Sequence, residues 1–392
     1  MVLSTVLVIL ISAHFLYPIL GKCPDECHCY PFKWGDASVG VDCKSSNLQT
    51  IPTNLPWRIS KADFSMNKLG TTQDFKIDLP FSPSVKQLDF SANFLESKHI
   101  KDIPDSVEIL DLSANSITDF SLDDLPRHIR GLNLAKNGAN ILNGCGRGKK
   151  LASKEQIWMR FDYNYIPIII ADTFANCGAS FGYLDFSSNN LHTIEPHAFR
   201  GVAPRENESL AIDLSYNQLE TIPFEALQDS IFENLGFNHF SLDLRKNPIV
   251  CSCNMSWVPM AAEYYRKIGL RVTILGNCFS PLEKSGILLE DLNKLDFKSC
   301  SQYNWLKAEM KERTDQRVMP FWQVCIVVLA LPALVAAVVL AVGIRMHMKD
   351  YRRYKDYITI KKQRMMAQKR RRHFRASGAM GDVLLNSSNK HF

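Results

Sequence analysis

The sequence predicts an α/β solenoid, in which short repeats each add one strand to a parallel concave sheet. Disulfide-bonded caps close both ends, and one transmembrane helix follows. Three observations lead to this prediction: an asparagine recurs every 22 to 30 residues in a fixed apolar frame, cysteines cluster at both ends of the repeated region, and two apolar stretches lie outside it. A stack of such units would form an elongated body rather than a set of separate compact domains.

The first 21 residues, MVLSTVLVILISAHFLYPILG, are apolar, contain no Lys or Arg, and end in Pro18 and Gly21. This composition indicates a secretory signal peptide that is cleaved near Lys22. The alternative is an uncleaved anchor, because the apolar run exceeds the roughly 7–15 residues of a usual signal. With cleavage, the residues that follow enter an oxidising compartment.

Eight of the eleven cysteines fall into two groups of four. They are Cys23, Cys27, Cys29 and Cys43, and Cys251, Cys253, Cys278 and Cys300. In a secreted body such groups favour disulfides over metal ligands, and the spacing of the first group matches no usual zinc site. We therefore expect an N-terminal cysteine-rich cap at 22–58 and a C-terminal cap at 247–300.

Between the caps, residues 59–246 contain repeats that are marked by asparagines. These are Asn67, Asn93, Asn115, Asn137, Asn164, Asn189, Asn217 and Asn247, and the cleanest copies read VKQLDFSANFL, VEILDLSANSI and FGYLDFSSNNL. Alternating apolar residues such as Leu110 and Leu112 predict a short strand with both side chains inward. The asparagine amide would then satisfy backbone groups that water cannot reach. Stacked units would bury a continuous core.

The frame L-x-x-L-x-L-x-x-N-x-L resembles the leucine-rich repeat. C-x3-C-x-C followed by VDCKSSNLQTIPTNLP resembles the cap that opens extracellular leucine-rich-repeat proteins, and NPIVCSCNMSW resembles their closing cap. The resemblance implies that Trp257 and two disulfides cover the apolar end of the last repeat. It also implies the pairs Cys23–Cys29, Cys27–Cys43, Cys251–Cys278 and Cys253–Cys300.

Two cysteines between the caps have two interpretations. Cys177 occupies a position where such repeats usually bury leucine, which favours a small core residue. Cys145 lies in the glycine-rich NGCGRGKK, which we expect to be an exposed loop. Because an unpaired exposed thiol is unusual outside the cell, a fifth disulfide between the two is the alternative. The loop lacks the spacing of a phosphate-binding loop.

The concave face is the predicted binding surface. One outward row, which we interpret as scaffold, reads Asp63, Asp89, Asp111, Asn133, Arg160, Asp185, Asp213 and Asp243. The predicted ligand-binding residues are Trp158, Arg160, Tyr163, Tyr183 and Tyr216, where neighbouring repeats carry Ser, Ala, Gly and Lys. Trp, Tyr and Arg dominate binding hot spots, although these side chains could instead cover the sheet.

No catalytic, cofactor-binding or metal-binding motif is present, so we predict no enzyme and no cofactor. The ten histidines are scattered, and we expect each to be a surface side chain. Asn207 and Asn254 begin extracellular glycosylation sequons, whereas the sequon at Asn386 would be cytoplasmic.

Residues 321–344 contain no charged side chain, and as a helix they would be about 36 Å long, enough to cross a bilayer. A stalk at 301–320 precedes them, and a basic tail at 345–392 follows. The tail has 14 Lys/Arg and three Asp, or +11, which leaves −5 of the total of +6 for the remaining chain. This asymmetry predicts a single-pass type I plasma-membrane protein with a cytoplasmic C-terminus.

In the tail, Tyr357 and Ile360 match the tyrosine-based signal that endocytic adaptors bind, and the basic residues favour contact with anionic lipids. The sequence as a whole predicts a receptor or adhesion protein that binds a protein ligand or a membrane co-receptor, and no nucleic acid. One alternative is an innate-immune recognition molecule, since Toll-like receptor ectodomains have similar repeats and caps. Their signalling domain, however, would not fit in a 48-residue tail. Another is an auxiliary subunit of a membrane channel or receptor complex.

Overall fold

The computed structural model forms two compact units, Met1–Thr314 and Asp315–Phe392. It describes residues 23–31, 38–56, 58–79, 84–146, 150–232, 237–301, 304, 307–308, 311, 335–353, 355–356, 358–359, 361–362 and 366. The predicted signal peptide, residues 321–334 of the predicted span, and Tyr357 and Ile360 lie outside these ranges.

Fifteen short strands are present among the described residues. They are β1 (His28–Pro31), β2 (Val39–Asp42), β3 (Ile59–Asp63), β4 (Gln87–Asp89), β5 (Ile109–Asp111), β6 (Asp119–Ser121), β7 (Gly131–Asn133), β8 (Ile141–Asn143), β9 (Ile157–Arg160), β10 (Ile168–Ile169), β11 (Phe181–Asp185), β12 (Thr193–Ile194), β13 (Ser209–Asp213), β14 (His239–Asp243) and β15 (Arg271–Leu275). Eleven of them form one sheet, in the order β1-β2-β3-β4-β5-β7-β9-β11-β13-β14-β15. Only the β1–β2 pair is antiparallel.

The sheet follows the predicted repeat, with one parallel strand for each copy. It also extends beyond the repeats, because β2 in the N-terminal cap and β15 in the C-terminal cap pair with the strands next to them. Two small parallel sheets, β6–β8 and β10–β12, lie on the return segments. The coarse prediction of a parallel-sheet α/β solenoid is therefore confirmed.

In the first unit, the helices among the described residues are short and occur mainly near the C-terminal cap. The α-helices are α1 (Phe224–Leu227), which runs into a π-helical turn (Gln228–Phe232), and α2 (Trp257–Lys267); the 3-10 helices are Ser97–Asp102, Leu122–Asp124, Cys253–Met255, Leu282–Lys284, Leu289–Asp291 and Lys294–Phe297. The core lies between the sheet and the return segments. Leu110 and Leu112 are completely buried, as their alternation predicts. Phenylalanines that follow the strands stack from one repeat to the next, with ring centroids 5.4 Å apart for Phe64 and Phe90.

The repeat asparagines tie each coil to the preceding one. For Asn189, Nδ2 donates to the carbonyl oxygens of Phe161, Phe186 and Ser187 at 2.8, 3.1 and 3.2 Å, and Oδ1 accepts from the N–H of Ile166 at 3.0 Å. All eight asparagines make this set of bonds. The predicted role of the amide is thus confirmed, and we call this row the asparagine ladder.

The caps contain the four disulfides that the resemblance implies: Cys23–Cys29, Cys27–Cys43, Cys251–Cys278 and Cys253–Cys300. Trp257 is 1% exposed, and its Nε1 donates to the carbonyl oxygen of Ile222 at 2.9 Å. The indole therefore seals the last repeat and also satisfies a backbone acceptor there.

A fifth disulfide joins Cys145 to Cys177 across 32 residues. The expectation that Cys145 lies in an exposed loop is wrong, because the residue is only 5% exposed. The reason is the neighbouring glycine: a Cβ on Gly144 would lie 2.4 Å from the carbonyl oxygen of Thr173, so this segment packs closely on the next coil.

His99 also departs from expectation, because it is 2% exposed rather than on the surface. Its Nδ1 accepts the N–H of Glu96 at 3.0 Å, and its ring meets Phe75 edge-on with centroids 5.3 Å apart. Burial lowers the pKa of His99, and Lys98 lowers it further. Burial of the ring therefore favours its neutral form.

In the second unit, residues 335–353 are helical. The last ten residues of the predicted span and the first nine of the basic tail therefore share one unbroken helix. Within the described residues, no helix combines the length and the apolar character that crossing a bilayer requires.

Candidate functional site: the open face of the sheet

The surface formed by strand residues that point away from the core is here called the open face; it corresponds to the predicted concave face. Burial alternates along its strands, as in β9, where Ile157 and Met159 are buried while Trp158 and Arg160 are partly exposed. Residues in register on neighbouring parallel strands lie about 4.8 Å apart, so outward side chains form continuous lateral rows.

The aspartate side chains of the open face are hydrogen-bonded to the backbone that follows each of them. In each case Oδ1 accepts a hydrogen bond from the backbone N–H of the residue two positions later. For example, the N–H of Ser65 donates to Asp63 at 2.9 Å, and the N–H of Ser215 donates to Asp213 at 2.9 Å. The same bond recurs at Asp89, Asp111, Asn133, Asp185 and Asp243. These side chains shape the turn after each strand, which supports their interpretation as scaffold.

The row also places carboxylates side by side. Asp89 is in register with Asp63 and Asp111, and Asp213 is in register with Asp185 and Asp243. Burial raises the pKa of Asp89 and of Asp213, the flanking carboxylates raise it further, and hydrogen bonds from the following serine oppose the shift. The two central carboxylates are therefore harder to ionise than ordinary aspartates.

Arg160 interrupts this acidic row. Its Nε and Nη2 donate to Oδ1 and Oδ2 of Asp162 at 3.1 and 2.9 Å, and its Nε lies 3.6 Å from Asp185. Asp162 is 2% exposed, so the guanidinium neutralises a buried carboxylate as well as part of the row. Arg160 therefore forms ion pairs within the repeats themselves, while 43% of its side chain is still exposed.

Trp158 and Tyr183 are neighbours in register on β9 and β11. The indole lies over Gly131 of β7, where a Cβ would come within 2.3 Å of Cζ2. The hydroxyl of Tyr183 donates to Oδ2 of Asp185 at 2.9 Å, and burial together with this carboxylate raises the pKa of Tyr183. Both rings are partly exposed, so they form one aromatic surface fixed by a glycine on one side and a carboxylate on the other.

The other predicted tyrosines lie where the strands end rather than within them. Tyr163 and Tyr216 both have φ of 55°, occupy the position before the ladder asparagine, and are 58% and 60% exposed. Lys136 of the preceding repeat places its Nζ 5.8 Å from the ring centroid of Tyr163. The five predicted residues thus divide into a partly buried strand group and an exposed edge group.

Two exposed aromatic residues of the repeats, Phe94 and Tyr165, are absent from the predicted binding residues. Tyr165 is 66% exposed and follows Asn164 directly, so that Tyr163 and Tyr165 flank a buried ladder asparagine. The repeat frame leaves the position between the asparagine and the next leucine variable. Its occupants elsewhere include Lys68, Ser116 and Gln218, so the aromatic side chains of Phe94 and Tyr165 could have marked it.

The predicted glycosylation sites are accessible. Asn207 is exposed two residues before β13, and Asn254 is exposed within the Cys253–Met255 helix. Asn207 lies at the end of the solenoid coil where strands begin, whereas Tyr163 and Tyr216 lie where strands end. Across the described part of the chain, no group of three or more His, Cys, Asp or Glu side chains could hold a metal ion.

No protein-family profile matches the chain. Among solved structures, the chain is similar to the crystal structure of human 5T4 (Wnt-activated inhibitory factor 1, trophoblast glycoprotein), with 20% sequence identity. The match covers 70% of this chain and 98% of that one, with a TM-score of 0.46. At this level of similarity, function has to be argued from the residues of the chain itself.

Proposed function

We propose that the chain is a non-enzymatic cell-surface receptor or adhesion protein, and that the open face of its repeats binds an extracellular protein ligand. The observation that carries the proposal is the paired ring surface of Trp158 and Tyr183. On the other parallel strands, the occupants of this lateral row are Gly40, Lys61, Gln87, Ile109, Gly131, Ala211, Ser241 and Thr273; Tyr30 of the antiparallel β1, in register with Gly40, ends the row. Two adjacent aromatic rings within a row of smaller or flexible side chains are not needed to build the repeat.

The surroundings of the two rings favour recognition of a folded partner. Both rings are held in place before binding, so they lose little conformational entropy when a ligand covers them. Tyr163 extends the same surface to the edge of the sheet, and the ion-paired Arg160 supplies donors between them. Aromatic side chains next to an arginine are typical of the centre of a protein interface.

The rest of the proposal concerns topology. We propose a cleaved signal peptide, a single span at 321–344, glycans at Asn207 and Asn254, and a cytoplasmic tail whose Tyr357 and Ile360 engage an endocytic adaptor. The supporting observations are the uncharged stretch, the basic tail and the five disulfides. A type I plasma-membrane protein combines all of them.

The test is a binding screen with the full chain on the cell surface, probed with an array of secreted proteins and receptor ectodomains. For a partner found in this way, Trp158→Ala and Tyr183→Ala should each weaken binding about 30-fold, which corresponds to a hot-spot loss of about 2 kcal/mol. Gln87→Ala is the matched control, because it lies in the same row three strands away. A partner whose affinity all three variants leave unchanged would contradict the proposed site.

A further inference from the structure

Five side chains at the edge of the open face form a row in which the backbone adopts a left-handed conformation. This row, here called the edge row, occupies the position before the ladder asparagine in five successive repeats and consists of Lys136, Tyr163, Ser188, Tyr216 and Lys246. All five residues have φ between 53° and 59°. This conformation suits Gly or Asn, whereas bulky side chains adopt it rarely and at a cost in energy. Because such strain is concentrated at functional sites, the edge row is a candidate binding surface.

The two tyrosines of the edge row do not offset this cost by burial. Tyr163 is 58% exposed and Tyr216 is 60% exposed. Earlier repeats carry Ala92 and Ala114 at the same position with the same backbone conformation, so the fold does not require an aromatic ring there. Ser188 lies between the tyrosines and is small, so the two rings border a gap.

Hydrogen bonds between coils fix the spacing of the edge row. The N–H of Tyr163 donates to the carbonyl oxygen of Ser187 at 3.2 Å, and the N–H of Ser188 donates to that of Ser215 at 2.9 Å. Neighbouring members of the row are therefore one strand spacing apart, about 4.8 Å. It follows that the backbones of the two tyrosines are about 9.6 Å apart, and those of the two lysines about 19 Å apart.

We infer that the edge row binds a polyproline II segment of an extracellular protein, with an acidic residue on either side of its prolines. The inference rests on the proposed function only in that the partner is an extracellular protein. A polyproline II helix has three residues per turn, so its side chains return to one face about every 9.3 Å, close to the spacing of the tyrosines. A strand returns to one face about every 6.8 Å. An α-helix with its side chains is about 10–12 Å wide, too wide for the gap. Grooves lined by aromatic side chains are a general means of binding polyproline II segments.

The charges of the edge row account for the acidic residues of the ligand. Lys136 and Lys246 are exposed at its two ends, and none of its members is acidic. Asp162, the acidic residue next to Tyr163 in the chain, is 2% exposed and is paired with Arg160. Six residues of a polyproline II helix span about 19 Å, which matches the distance between the two lysines. Acidic residues six positions apart in a ligand can therefore pair with both.

Polar groups beside the rings complement the backbone of such a ligand. A polyproline II segment has no internal hydrogen bonds, so its carbonyl oxygens need donors. The tyrosine hydroxyls can donate to them. Asn190, which is exposed two residues after Ser188, accepts a hydrogen bond from Nε2 of Gln218 with its Oδ1 at 3.0 Å. The Nδ2 of Asn190 is therefore the end of this amide that can donate to a ligand.

The experiment measures binding of a fluorescently labelled peptide, Glu-Pro-Pro-Pro-Pro-Pro-Glu, to the purified full chain by fluorescence anisotropy. Tyr163→Asn and Tyr216→Asn should each weaken binding at least about tenfold, as expected for the loss of a binding hot spot. Both variants should fold, because asparagine tolerates the left-handed conformation. Met66→Asn is the matched control, because Met66 occupies the same position in the first repeat, has φ of 58° and is 56% exposed. It should change the affinity less than about twofold.

Three results would overturn the inference. The first is no binding of the proline peptide, or equal binding of the parent and both tyrosine variants. The second is equally tight binding of a peptide of the same length and charge in which Gly and Ser replace the prolines, which would indicate a site for any acidic segment. The third is weakening by Trp158→Ala but not by Tyr163→Asn, which would place the peptide on the ring pair instead.

The proposed function is tested separately by its cell-surface screen. A chain that does not bind the peptide, but whose partner is lost on Trp158→Ala, would contradict the edge row and support the proposed site. A chain that binds the peptide through Tyr163 and Tyr216, but whose partner is unaffected by Trp158→Ala and Tyr183→Ala, would support the edge row and contradict the proposed site.

Discussion

Replacing Asn189 of the asparagine ladder by alanine should destabilise the coil that precedes it more than its own. The amide of Asn189 makes four hydrogen bonds, three through Nδ2 and one through Oδ1. After Asn189→Ala, each of the three carbonyl oxygens keeps another donor. The N–H of Ile166, a residue only 1% exposed, loses its acceptor. Most of the expected loss of stability therefore comes from the unpaired N–H of Ile166.

The magnitude follows from these partners. A buried N–H left without an acceptor costs about 1–3 kcal/mol, and each net hydrogen bond lost adds about 0.5–1.5 kcal/mol. Because the three carbonyls retain partners, we take the low end, about 0.5 kcal/mol, for each of them and expect a total loss of about 2.5–4.5 kcal/mol. Asn189→Asp keeps an acceptor for Ile166 but turns a carboxylate oxygen toward the three carbonyls, so it should be at least as destabilising.

The measurement is hydrogen exchange of the full chain, combined with thermal unfolding. Protection should fall most for peptides that contain Ile166, and the midpoint should drop by roughly 5–10 °C. The matched control is Asn190→Ala, because Asn190 is exposed and accepts a single bond, from Gln218 at 3.0 Å. It should change stability by less than about 0.5 kcal/mol. If both variants lose equal stability, the ladder does not hold the coils together as argued.

Two further predictions concern pH. The pKa of His99 is lowered in the folded chain, so the unfolded chain binds more protons below pH 6.5, and stability should fall as pH drops below that value. His99→Asn keeps an acceptor for the N–H of Glu96 and should flatten this dependence in thermal unfolding between pH 7 and 5; an unchanged slope would contradict the assignment. The pKa of Asp89 is raised, so its ionised form opposes folding at neutral pH, and Asp89→Asn should raise stability by about 0.2–1 kcal/mol at pH 7 and by less at pH 4. Asn133 already occupies the equivalent position, so a destabilised variant would contradict the repulsion argument.

The repeat itself could be predicted from the sequence, because its period and its asparagines report local requirements. A strand needs alternating apolar side chains, and a buried turn needs an amide that can serve both donors and acceptors. The position of Cys145 could not be predicted in this way. Glycines around it suggested an exposed loop, whereas Gly144 is small because Thr173 of the next coil packs against it.

The residue types of the candidate site could be predicted from the sequence, but the contacts that hold their side chains in place could be predicted only in part. The outward direction of Trp158 and Tyr183 follows from strand alternation. That the indole lies over Gly131 depends on a strand of the preceding repeat, and that the hydroxyl of Tyr183 donates to Asp185, two residues later on the same strand, depends on how the ring leans along the strand. Tyr165 was not predicted to be a binding residue, because the repeat pattern places no constraint on the residue that follows the asparagine.

The disulfide between Cys145 and Cys177 has a mechanical consequence when the chain is stretched by its two ends. Tension along the backbone would pass through the sulfur atoms, and the enclosed 32-residue separation, about 110 Å of contour, could not extend. Trp158, Arg160 and Tyr163 lie inside that closed loop. Under tension applied to the two ends of the chain, repeats on either side could therefore unravel while β9, which carries these side chains, bears no load; Tyr183 on β11 lies outside the loop and has no such protection.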